Sequence, residues 1–189
     1  VRPISRNVFV CVFAFSAGIA ISLSCLAEEL MAVLYESHAA QSANVFKVLI
    51  FGFVPISVTY VFGTLLTANN SLRQLNILSA IALCINVVLN LVLIPRYAEV
   101  GSAWTSVGTQ SFVAISQMVV AMRIFQFKIG WPTTLRLLIY ICIVAGINFG
   151  LSHLSLHWLW HIAVVGVAMV AMLFGLRLFR LKDLAEVIR

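Results

Sequence analysis

Apolar residues in this chain run in unbroken blocks, and those blocks are about as long as a bilayer is thick. A helix needs about 20 apolar residues to cross the hydrocarbon core. Six stretches qualify: 8–27, 48–68, 75–94, 103–122, 135–151 and 158–176. The fifth is the shortest, bounded by Thr133, Thr134 and Ser152. Backbone in lipid must satisfy its own hydrogen bonds, which leaves helices and closed barrels. Barrel strands alternate polar and apolar residues, and these blocks do not. The pattern predicts an all-α polytopic transmembrane helix bundle of about six spans.

Turn signals fall between the blocks. Asn69-Asn70-Ser71 is a turn cluster, and Pro95 is expected to stop the third span because proline lacks the amide a helix needs. Gly130-Trp131-Pro132 separates the fourth span from the fifth, and Trp158 and Trp160 suit an interfacial aromatic belt. Pro55, inside the second span, predicts a kink.

Composition supports a lipid solvent. Hydrophobic residues make up 62% of the chain and charged residues 10%, where a soluble domain carries roughly a quarter charged. Mean hydropathy is +1.08.

The net charge of +6 does not point to nucleic acid, because the charges lie in the gaps and leave no separate basic face. They set orientation instead. Counted on alternate sides of the six spans, Arg2, Arg6, Arg73, Arg123, Lys128, Arg136, Arg177, Arg180, Lys182 and Arg189 share one side. Lys47 and Arg96 lie on the other, with Glu28, Glu29, Glu36 and Glu99. The positive-inside rule makes the basic side cytoplasmic and places both termini there. The chain opens on Val1 and reads as a piece of something longer. Its first apolar run is too long for a signal-peptide core and lacks a small-residue cleavage site, so it reads as a retained helix. Residues 177–189 read as a basic interfacial tail that continues the last helix into the headgroups.

Polar side chains within spans should face other helices or water. Ser57, Tyr60, Thr64 and Thr67 fall on one stripe of the second span. Ser79, Asn86 and Asn90 do so on the third, with Asn76 nearby; Ser102, Ser106, Thr109, Gln110 and Gln117 do so on the fourth. Two readings stand: spans two to four line a hydrated cavity, or the stripes are interhelical seams. Asn86, Asn90, Gln110 and Gln117 favour the cavity, since four carboxamides exceed what a dry seam requires. The sixth span, almost free of polar residues, is expected to face lipid.

Ionisable residues are missing from the span centres, so the sequence shows no proton relay and no mid-membrane cation for a phosphate. His153, His157 and His161 recur every fourth residue but straddle a turn, and read as interfacial histidines rather than metal ligands. Cys11, Cys25, Cys84 and Cys142 have no metal-site spacing and read as small buried apolar residues. Gly146 and Gly150 have the spacing of a close helix contact. No nucleophile–base pair, carboxylate dyad or phosphate-binding glycine loop appears, and neither a cofactor nor enzymatic activity is indicated.

The segment from Arg73 to Gln117 resembles the C-terminal half of bacterial polysaccharide (O-antigen) flippases of the multidrug/oligosaccharidyl-lipid/polysaccharide exporter superfamily. There an Asn-bearing helix ends in L-N-x-x-L-I-P-x-Y-G, followed by x-x-G-A-A and a new helix. Leu89, Asn90, Leu93, Ile94, Pro95, Tyr97, Gly101 and Ala103 match. Leu34-Tyr35 followed by Ala40–Ala43 resembles the family's short outer loop. Ala98 departs from the usual Gly, Ser102 from the first Ala, and Glu36 from a common Gly.

The resemblance implies the last six spans of a fourteen-helix, two-lobe transporter of the bacterial inner membrane. Such a protein moves undecaprenyl-pyrophosphate-linked oligosaccharide between leaflets by alternating access. Its N-terminal lobe, absent here, would supply any pyrophosphate-binding cation. Tyr60, Thr64, Asn86, Asn90, Gln110 and Gln117 are then candidates for one wall of the substrate cavity. Rival readings are a lipid II flippase or multidrug exporter of the same superfamily, and a non-transporting scaffold subunit of polysaccharide assembly.

Overall fold

The computed structural model describes residues 2–35, 37–126, 130–152 and 158–175. Among them are seven α-helices, a short 3-10 turn and no strand. The helices are α1 (Arg2–Cys25), α2 (Ala27–Leu34), α3 (Ala39–Leu49), α4 (Phe53–Ala68), α5 (Leu72–Phe125), α6 (Trp131–Ser152) and α7 (Trp158–Gly175). Four helical stretches are long and apolar enough to cross a membrane: Ser5–Cys25, Ala39–Ala68, Leu72–Phe125 and Trp131–Ser152. Trp158–Leu173 is a shorter apolar helix.

The second stretch begins before the expected span at 48–68. α3, the 3-10 turn Ile50–Gly52 and α4 follow one another without a break from Ala39 to Ala68. Pro55 lies in the first turn of α4, and the tightened turn sits just before it. That is where the missing amide and the ring's clash with the preceding turn are felt. Backbone angles stay helical through Leu49, Gly52 and Phe53, so the proline tightens the helix without breaking it.

Residues 28–47, the gap between the first two predicted spans, are largely helical. Leu26 ends α1 and opens α2, and α2 folds against α3 through Ala27, Met31 and Ala43. His38 supplies the turn, at φ 62°. Lys47 Nζ donates to Glu28 Oε1 at 2.6 Å and ties the two short helices together.

α5 covers 54 residues, which would span about 80 Å if straight. It is not straight. Ala98 has φ 48° and ψ −129°, outside any helix. Asn86 Nδ2 donates to Thr109 Oγ1 at 3.3 Å, although a straight helix would hold those residues about 35 Å apart. A side chain at Gly101 would run into the Leu93 carbonyl, and one at Gly108 would touch Leu89. The chain therefore reverses at Ala98, and 72–97 and 99–125 form an antiparallel hairpin. The first limb continues past Pro95 to the reversal, so the proline does not end it as expected; it lies within the last turn before the bend.

The main core gathers α1 (Phe9, Val10, Ala14), α4 (Val58, Phe62, Leu66), the second limb of α5 (Ala114, Ala121), α6 (Leu137, Tyr140, Val144) and α7 (Val165, Met169). α7 is thus not wholly turned outward, as its apolar sequence suggested, but buries one stripe. Close approach occurs at Gly18, where a Cβ would meet Met169 and the Tyr140 hydroxyl, 2.8 Å away. Gly146 and Gly150, expected to mark a close contact, face open space. Cys25, Cys84 and Cys142 are exposed and Cys11 is half-buried, contrary to the expected burial.

Candidate functional site

The six candidates from sequence fall in three places. Asn86 and Asn90 lie one turn apart on the first limb of α5, facing the second. Asn90 Nδ2 donates to Asn86 Oδ1 at 2.9 Å, and Asn86 Nδ2 passes the bond on to Thr109 Oγ1. The chain of donors thus runs from Asn90 through Asn86 to the opposite limb. At its start, Asn90 Oδ1 is buried and has no partner. A buried carboxamide oxygen without a donor is costly, so this end of the chain is chemically open to a hydroxyl, an amide or water. Gln110 follows Thr109 and is half-buried.

Gln117 occupies a second place, the interface between the second limb and α4. It is buried, and its Oε1 has no partner. A Cβ on Gly63 would lie 3.1 Å from that oxygen, so the absence of a side chain at Gly63 leaves the room Gln117 uses. Thr59 Oγ1, also on α4, is likewise buried and unpartnered.

Tyr60 and Thr64 occupy the third place. Both are exposed, and they line an open groove of about 520 Å³ with Ser57 and with Val8 and Val12 of α1. The polar stripe of α4 therefore turns toward α1 rather than toward the α5 hairpin. The structure brings Asn86, Asn90 and Thr109 together and holds Gln117 and the Tyr60–Thr64 pair apart from them.

The sequence reading passed over a different polar group, between α1, α6 and α7. Asn148 is fully buried, and its Nδ2 donates to the Val144 carbonyl at 2.9 Å and to Ser22 Oγ at 3.3 Å. Ser22 Oγ in turn donates to the Gly18 carbonyl at 2.8 Å. The Val144 carbonyl only accepts, so the amide nitrogen must face it and Oδ1 must face His161 Nε2, 3.2 Å away. His161 therefore carries its proton on Nε2 and donates. The result is a closed, directed chain from His161 to Asn148 to Ser22 to Gly18. His161 is thus buried between helices, a packing role its sequence pattern did not show; His153 and His157 lie outside the described residues. The signal was present in Asn148, the one carboxamide within 135–151, because a polar side chain in an apolar span demands a partner.

Among the described residues outside the apolar spans, two carboxyls are held below the ordinary carboxylate range. Glu28 is lowered by the hydrogen bond and charge of Lys47. Glu99, beside the reversal, is lowered by the amide of Gln41, which donates to it at 2.5 Å and ties the hairpin tip to α3.

Comparison with known proteins finds no family model and no curated protein that matches this chain.

Proposed function

We propose that this chain is part of a membrane transporter that flips lipid-linked oligosaccharide between leaflets. In this reading the chain crosses the membrane six times, with the two limbs of α5 as separate spans and both termini cytoplasmic. One observation carries the reading. The residues that resemble the flippase motif sit astride the α5 reversal, each where the bend can use it. Asn90 lies on the seam, Pro95 and Tyr97 lead into the bend, and Gly101 permits the backbone crossing. The departure from the motif at Ala98 falls on the residue with positive φ, where a glycine is the natural occupant.

Asn86, Asn90, Gln110 and Gln117 would hydrogen-bond sugar hydroxyls or water along one wall of a cavity completed by a second lobe. Their unpartnered oxygens, on Asn90 and Gln117, supply the acceptors. No covalent chemistry is required of them. The test is to delete the gene encoding this chain from its host and to follow lipid-linked oligosaccharide by leaflet. The reading predicts build-up in the cytoplasmic leaflet and loss of surface polysaccharide. Unchanged export would overturn it.

A further inference from the structure

An apolar groove of about 410 Å³ runs between four elements: α1, α4, the second limb of α5, and α6. Phe9, Phe13, Val58, Met118, Leu137 and Ile141 line it. Among the described residues, Ser111 and Thr134 are the hydroxyl-bearing ones that line it. The lining is therefore predominantly apolar.

The groove's surroundings are not neutral. Arg6 precedes Phe9 by three residues and Phe13 by seven, which puts it on the same face of α1, one turn beyond the groove's aromatic residues. Its side chain is exposed. Thr134 belongs to the first turns of α6, a few residues after the exposed Trp131, a residue that favours the headgroup level. Arg6 and Trp131 thus lie just beyond lining residues of α1 and α6, at the ends where those two helices begin.

We propose that this groove seats one acyl chain of an anionic glycerophospholipid, drawn from the leaflet where α1 begins, with Arg6 at the lipid phosphate. The inference does not depend on the transport reading. A lipid tail gains little by leaving other tails for an apolar wall, so the groove alone cannot select a lipid. Selection has to come from the headgroup, and Arg6 is the group placed to make it. A basic residue at an anionic membrane surface is worth about a fivefold preference.

Native mass spectrometry of the full chain, released from nanodiscs of equal phosphatidylglycerol and phosphatidylcholine, tests this. The expected result is one retained phosphatidylglycerol, favoured about fivefold over phosphatidylcholine. Arg6→Gln should abolish the preference while leaving some lipid bound, and Ile115→Trp, which crowds the groove at an exposed position, should reduce retention of both lipids. Because Arg6 lies at an exposed helix end, its variant remains informative even if the tryptophan variant misfolds. Equal retention of the two lipids in the wild type, or an unchanged preference in Arg6→Gln, would overturn the proposal. So would displacement of the retained lipid by an equimolar single-chain polyprenyl phosphate, which would assign the groove to a different occupant.

Discussion

The α1–α6–α7 unit and the α5 hairpin both carry asparagines within apolar helices, yet they treat them in opposite ways. In the first, Asn148 uses both its amide nitrogen and its oxygen, and the chain from His161 to Gly18 closes on a backbone carbonyl. In the second, the chain from Asn90 to Thr109 leaves Asn90 Oδ1 without a donor. Packing follows the same division. Of the most apolar 18-residue window, 44% is buried in the α1 stretch and 6% in α5. Closed chains in a packed interface lock helices together, whereas an open acceptor on the first limb, where Ala82 is the one buried residue between Leu72 and Tyr97, is available for other chemistry. A polar residue in a span therefore says that a partner is needed, and only the fold says whether the partner is another helix.

The comparison breaks most sharply at the glycines. Gly18→Leu drives a side chain into Met169 and Tyr140 and should cost about 3 kcal/mol. Gly146→Leu, in open space, should fall within about 0.5 kcal/mol of wild type. Unfolding in a mixed-micelle denaturation series separates the two. The next effect concerns the asparagines. Asn148→Leu removes three hydrogen bonds and should cost about 2 kcal/mol, at about 0.6 kcal/mol for each bond inside a membrane. Asn90→Leu removes one and should cost about 0.6 kcal/mol. Equal costs would erase the distinction between closed and open chains.

Ala98→Gly should stabilise the hairpin by about 1 kcal/mol, because it relieves a strained positive-φ residue and loses only part of that gain to unfolded-chain entropy. A drop in stability there would contradict the reversal at Ala98. The smallest effect is electrostatic. Glu28 has a depressed carboxyl pKa in the folded chain, so its pairing with Lys47 stabilises above the ordinary value of 4.5 and is lost as pH falls through the folded value. Thermal melting followed from neutral pH to below that range should show a slightly shallower acid-side decline in Lys47→Met than in wild type. The difference is small because both side chains reach solvent.

Much of the fold was legible in hydrophobic blocks. Helices occupy all six predicted apolar stretches over their described residues, because block length and the absence of alternation are local properties. Helix ends and reversals were less legible. Residues 28–47 looked like a loop for want of apolar continuity, but Ala27, Met31 and Ala43 make a small core of their own. Pro95 looked like a stop, while the bend falls three residues later on Ala98 and is set by the crossing at Gly101. Polar stripes gave the period of Asn86 and Asn90 correctly but not their partners. Tyr60 and Thr64 turned toward α1 because Phe62 and Leu66 claim the core side of α4. The burial of His161 was not legible because its partner, Asn148, lies on another helix and no local pattern links them.

Six crossings require that α5 be two spans and not one long helix, and side-specific labelling measures this directly. Single cysteines at Gln74, Glu99 and Arg123, in a background lacking the native cysteines, would be exposed to a membrane-impermeant maleimide from each side in turn. The account predicts that Gln74 and Arg123 label from one side and Glu99 from the other. Labelling of Gln74 and Arg123 from opposite sides would contradict it.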